Sequence, residues 1–99
     1  MAAKVKVDDV GTVIRLNTRV DLTETALVRI VARDPKGTIV HLDADVADIT
    51  WIQHIKTADT LNKPGKWTLQ SYAEWATGEK IYGDETSLRV WDTLESAAG

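Results

Sequence analysis

Leu61-Asn62-Lys63-Pro64-Gly65-Lys66-Trp67, continued by Thr68-Leu69-Gln70-Ser71-Tyr72-Ala73-Glu74-Trp75 and, after a polar turn, by Lys80 to Trp91, is the stretch that decides the fold. Lys63-Pro64-Gly65 is a corner. Beyond it apolar and polar residues alternate with the period of two that a half-buried strand requires. Trp67, Leu69, Ser71 and Ala73 share one face; Thr68, Gln70, Tyr72 and Glu74 share the opposite, wetter face. Ala76-Thr77-Gly78-Glu79 reads as a four-residue hairpin loop, with Gly78 in the left-handed conformation. Ile81 and Tyr82 resume the sheet, Gly83-Asp84-Glu85 interrupts it as a bulge, and Leu88 and Val90 finish it as core residues. Three of the four tryptophans and both tyrosines lie in this stretch.

Upstream the same grammar recurs in shorter words. Val5 and Val7 alternate with lysines in residues 1–9, an N-terminal arm or short strand. Thr12 to Thr18 reads as a strand. Ala26 to Arg33 reads as another, with Val28, Ile30 and Ala32 inward and two arginines on the wet side. Asp34-Pro35-Lys36-Gly37-Thr38 is the strongest turn: proline presets φ and glycine supplies positive φ two residues later. The returning strand runs from Thr38 to about Ala44. Asp43, Asp45 and Asp48 mark a loop. Ile49 to Ile55 is a strand with Ile49, Trp51 and Ile55 on one face. Thr57 to Asn62 reads as one helical turn at most. Residues 93–99 are a small, polar, disordered tail. Six to seven strands with turn signals about every 8–12 residues predict an all-β, immunoglobulin-like antiparallel β-sandwich in Greek-key order over residues 10–92. Its expected core is Val13, Val28, Ile30, Trp51, Trp67, Leu69, Leu88 and Val90.

Ninety-nine residues with 43% hydrophobic content suffice for one domain with a core of its own. The absence of cysteine removes disulfides, thiolate metal sites and cysteine nucleophiles together. A net charge of −3 gives no basic patch for a phosphate backbone, so nucleic acid is not an expected partner. No apolar run reaches the roughly 20 residues that span a bilayer, so no membrane is expected either. The start at Met1, without an apolar signal core, reads as a whole small protein that is not exported.

In immunoglobulin-type sandwiches an aromatic near the start of strand F forms a corner, with a leucine several residues earlier beneath it. Leu61 and Trp67 occupy those places. The indole N–H of Trp67 is expected to donate back to a backbone carbonyl. The chain also resembles the small immunoglobulin-like proteins of tailed-phage virions, found in tail, baseplate and fibre. Gly11-Thr12-Val13-Ile14-Arg15-Leu16, Asp21-Leu22-Thr23, Asp34-Pro35-Lys36-Gly37-Thr38, Leu61 to Gln70 and Lys80-Ile81-Tyr82-Gly83-Asp84 carry that resemblance. It departs where such modules often have glycine and this chain has Glu24. The resemblance implies a non-catalytic virion structural protein of the tail or head–tail region, made in the host bacterial cytoplasm. Its implied partners are other virion proteins or further copies of itself.

Reaction chemistry is not evident. Asp43, Asp45 and Asp48 offer carboxylates of the kind calcium favours, but the spacing fails the EF-hand pattern, and a solvated acidic loop accounts for them. His41 and His54 fall on neighbouring predicted strands and lack a third ligand for zinc. Ser71, Ser87 and Ser96 have no histidine at a motif spacing. Asp84 and Glu85 alternate to opposite faces of a strand. No enzyme activity, metal or cofactor is therefore expected. Recognition falls to aromatics, which dominate interface hot spots: Tyr72, Trp75, Tyr82 and Trp91 form the candidate interface. A receptor- or carbohydrate-binding module using Trp75, Trp91 and Tyr72 is the alternative. The end of the last strand, with Val90 and Trp91, is expected to be open to pairing with another chain.

Overall fold

The computed structural model describes residues 5–93. They form eight strands: β1 (Val5–Lys6), β2 (Val13–Asn17), β3 (Thr25–Arg33), β4 (Ile39–Asp43), β5 (Asp45–Val46), β6 (Trp51–Ile55), β7 (Gly65–Trp75) and β8 (Lys80–Trp91). Two sheets stack as an all-β, immunoglobulin-like sandwich, one in the order β1-β8-β7-β3-β4 and the other β2-β6-β5. All pairings are antiparallel except β1 with β8, which run parallel with Val5 opposite Val90. β1 is the short strand that the alternation of Val5 and Val7 suggests, and the count exceeds six to seven because the two-residue β5 lies where a loop was expected. The tail expected over residues 93–99 lies, apart from Thr93, outside the described residues.

The decisive stretch folds as its alternation demands. β7 and β8 pair from Gly65 opposite Val90 to Glu74 opposite Lys80, with one register shift between Gln70 and Tyr72. Gly83 lies in that irregularity, and a Cβ there would stand 2.1 Å from the Ser71 hydroxyl. The Trp67 indole N–H donates to the Lys63 carbonyl at 2.9 Å, over the fully buried Leu61. The corner therefore exists, with tryptophan doing what tyrosine does elsewhere. Gly65, at φ +128°, passes so close to Pro35 that a Cβ would come within 2.8 Å of the ring. Lys63 reaches across to Asp34 Oδ2 at 2.8 Å, while Asp34 Oδ1 accepts the Lys36 and Thr38 amides. The corner and the β3–β4 turn are thus clasped to each other.

The core holds Ile14, Val28, Ile30, Ala32, Leu42, Ile52, Leu61, Trp67, Leu69 and Val90. Fully burying each large aliphatic among them contributes about 1.5–3 kcal/mol. Two expected core residues are outside. Val13 is exposed beside Ile14, and Trp51 is exposed beside the fully buried Ile52. In β6 the inward face is Ile52 and His54, followed by Lys56. A polar face turns inward because each polar group finds a partner there. The His54 Nδ1–H donates to the Asp43 carbonyl at 2.6 Å, and its Nε2 meets the Thr60 hydroxyl at 3.0 Å. Lys56, fully buried, donates its ammonium protons to the carbonyls of Val7, Asp9 and Thr57 at 2.8, 2.9 and 3.2 Å. Leu88 packs on the core only partly buried. Thr57 to Thr60 makes a turn and no helix.

Candidate functional site

The broadest surface is the outer face of the five-stranded sheet. Register and alternation set its rows. Tyr82 stands opposite Tyr72, and Tyr72 opposite Arg29. Glu85 faces Gln70, then Val31, then His41. Ser87 faces Thr68, then Arg33, then Ile39, and Arg89 faces Lys66.

In the first of these rows the side chains stack. The Tyr72 and Tyr82 ring centroids are 4.9 Å apart and tilted by 53°. The Arg29 guanidinium covers the Tyr72 ring at 4.9 Å and touches His41 Nδ1 at 3.0 Å. A guanidinium only donates, so Nδ1 accepts and the His41 proton sits on Nε2. The Tyr72 hydroxyl donates to Glu74 Oε1 at 2.5 Å, and this bond, with burial and the Glu74 charge, holds the phenol above its ordinary pKa. Tyr72, Tyr82, Arg29, Val31 and His41 enclose a shallow depression of about 100 Å³. A second, of about 140 Å³, adjoins it across Val31 and is lined by Arg33, Ile39, Thr68, Gln70 and Glu85, with Arg33 and Glu85 paired at 3.2 Å.

The four sequence-predicted residues separate. Tyr82 is 61% exposed and is the accessible member. Tyr72 is buried on its nominally wet face, because Arg29 and Tyr82 cover it; it shapes the site from below. Trp75 has the opposite parity, lies half-buried against the core, and its indole N–H donates to the Thr23 carbonyl at 3.1 Å, closing one end of the sandwich. Trp91 stands at the other end of β8, about 30 Å from Tyr82 by strand length, beneath the Arg89 guanidinium at 4.6 Å. Tyr72, Trp75 and Trp91 therefore make no common platform for a sugar. Nor is the end of β8 open, since Val90 and Trp91 pair with Val5 and Lys6. Arg29 and His41 are the members sequence reasoning missed. Their signal was an arginine on the outward side of a strand whose partner strand centres on histidine.

His41 and His54 do not meet: β4 and β6 belong to different sheets, with His41 outside and His54 in the core. Among the described residues no three His, Asp or Glu side chains converge as a metal site. Asp43 and Asp45 end and begin strands, where β4 leaves one sheet and β5 joins the other, and the Asp48 carboxylate accepts the Ile49 amide.

No family model and no curated protein matches the sequence. A solved structure does. The crystal structure of CopC from Methylosinus trichosporium OB3b matches with a TM-score of 0.57 at 15% identity, over 92% of this chain and 86% of CopC. At that identity the likeness shows the fold alone. It also corrects the expected function: the match is to CopC and gives no support to a structural role in a phage tail or head–tail region. The motifs behind that expectation are corner, hairpin and bulge chemistry, which a sandwich of any function needs.

Proposed function

We propose that the chain is a non-catalytic binding module that presents the outer face of its five-stranded sheet to an acidic segment of a partner protein. The observation that carries this reading is the Arg29 clamp. A guanidinium fixed between the Tyr72 ring and His41 has lost its rotamer freedom before any partner arrives, so docking costs less ordering entropy. Arginine and tyrosine are also the residues on which interface energy concentrates. The charge distribution agrees. Arg29, Arg33, Lys66, Lys80 and Arg89 stand on this face against Asp43, Glu74 and Glu85, in a chain whose net charge is −3. Opposite charge on a partner speeds its encounter with such a face. Catalysis has no comparable support: Arg29 engages His41, and both ring nitrogens of His54 are engaged.

Titration with a polyglutamate peptide, followed by backbone amide shifts, tests the reading. Shifts are expected to cluster at Arg29, His41 and Tyr82, to shrink with added salt, and to need about tenfold more peptide in Arg29→Ala. Shifts spread over both sheets, or none at millimolar peptide, would rule it out.

A further inference from the structure

The Asp34 amide donates to the Thr38 carbonyl at 2.9 Å, closing the β3–β4 hairpin. Bonded and non-bonded pairs alternate along an antiparallel ladder. The bonded pairs are therefore Ala32 with Val40 and Ile30 with Leu42, and the peptide groups of Ile39, His41 and Asp43 aim away from β3. β4 ends the five-stranded sheet. The Asp43 carbonyl is taken by the His54 imidazole, and among the described residues no strand pairs with the Ile39 and His41 peptide groups or the Asp43 amide.

Other open edges carry features that discourage pairing. β8 beyond its contact with β1 is bulged near Gly83 and bears Asp84 and Glu85. β5 is two residues long. β2 has Arg15 at its centre, so a second β2 would set arginine against arginine. β4 lacks these features apart from one carboxylate, Asp43, at its end. Its ladder with β3 is regular, it contains no lysine or proline, and Ile39 is 54% exposed. Natural sheets rarely leave such an edge bare.

We propose that β4 pairs antiparallel with β4 of a second copy, about a two-fold axis through His41. The sequence of β4 is self-complementary about that axis. Val40 falls opposite Leu42 of the second copy on the inner face, so apolar meets apolar. His41 meets His41, each amide donating to the other's carbonyl. The Asp43 amide donates to the Ile39 carbonyl, and the Asp43 side chain lands opposite Ile39, in the row that holds Arg33, rather than opposite its own copy. The two five-stranded sheets become one continuous sheet, and the contact is isologous, so it closes at two copies. The inference is independent of what the outer face binds.

The chain has no cysteine, which makes a single introduced thiol a clean reporter. Residues facing each other in a bonded pair have Cα atoms about 5.5 Å apart, within disulfide range. Under mild oxidation His41→Cys is expected to give a disulfide-linked dimer, and Thr86→Cys on the β8 edge is expected to stay monomeric. Sedimentation of the native chain is expected to show a reversible dimer that Ile39→Lys abolishes while its circular dichroism remains native. Equal cross-linking of the two thiol variants, or none from His41→Cys, would overturn the proposal. So would a native chain that sediments as a monomer up to millimolar concentration, or one whose Ile39 and His41 amides are protected only by an added extended peptide.

Discussion

Lys56 shows how far a single residue can set an arrangement. Its ammonium is fully buried, with three carbonyl acceptors for three protons, two of them from the N-terminal segment. Lys56→Met preserves much of the volume but takes away the donor that the Val7 and Asp9 carbonyls share, while the Thr57 carbonyl keeps the Thr60 amide and hydroxyl. A loss of about 2–4 kcal/mol is expected in urea denaturation; a loss below 1 kcal/mol, roughly the worth of one ordinary hydrogen bond, would show that the cage contributes little. Burial pulls the Lys56 pKa below 10.5, while the Asp9 and Asp8 charges pull it back up. In the window between that lowered value and 10.5 the unfolded chain binds more protons than the folded one, so stability attributable to Lys56 rises with pH. The difference between native and Lys56→Met urea midpoints should change across that window. None of this was legible in the sequence, where a lysine next to Thr57 reads as solvated. Its burial depends on carbonyls nearly fifty residues away.

At the scale of elements, the clasp between the β3–β4 turn and the β7 corner responds to acid. The Lys63 ammonium beside Asp34, helped by the Thr38 and Lys36 amides, holds its carboxyl below the usual 3.8 against the opposing effect of burial. The stabilisation is complete above the unfolded value and disappears as pH falls through the folded one. Urea midpoints of the native chain are expected to fall, as pH drops below about 4, more steeply than those of Asp34→Asn; parallel curves would remove Asp34 as a cause. This turn and the β7–β8 hairpin were legible because proline and glycine announce backbone angles directly. The orientations of β2 and β6 were not. Alternation gives two faces but not which is inward, and the choice rested on counting apolar residues. Ile49, Trp51 and Ile55 outnumber Ile52, yet the face of Ile52, His54 and Lys56 is inward, because His54 and Lys56 find polar partners at Asp43, Thr60, Val7 and Asp9, outside their own strand.

At the scale of the molecule, sheet membership was the missing quantity. It decides that His41 joins Arg29 and Tyr72 on an open face while His54 sits in the core. Of the candidate site, Tyr82 was legible as an exposed aromatic; the clamp that organises it needs the β3–β4–β7 register, which no local pattern encodes. The parallel pair between β1 and the end of β8 has a further consequence, in time rather than space. Val5 is synthesised well before its partner Val90. On a ribosome Val5, Val7 and the site of Lys56 therefore stay unsealed until the end of β8 has emerged. A nascent chain stalled after Gly78 is expected to be cut readily by protease. One stalled on a linker beyond Gly99 should resist, and equal resistance of the two would mean that β8 is dispensable for closure.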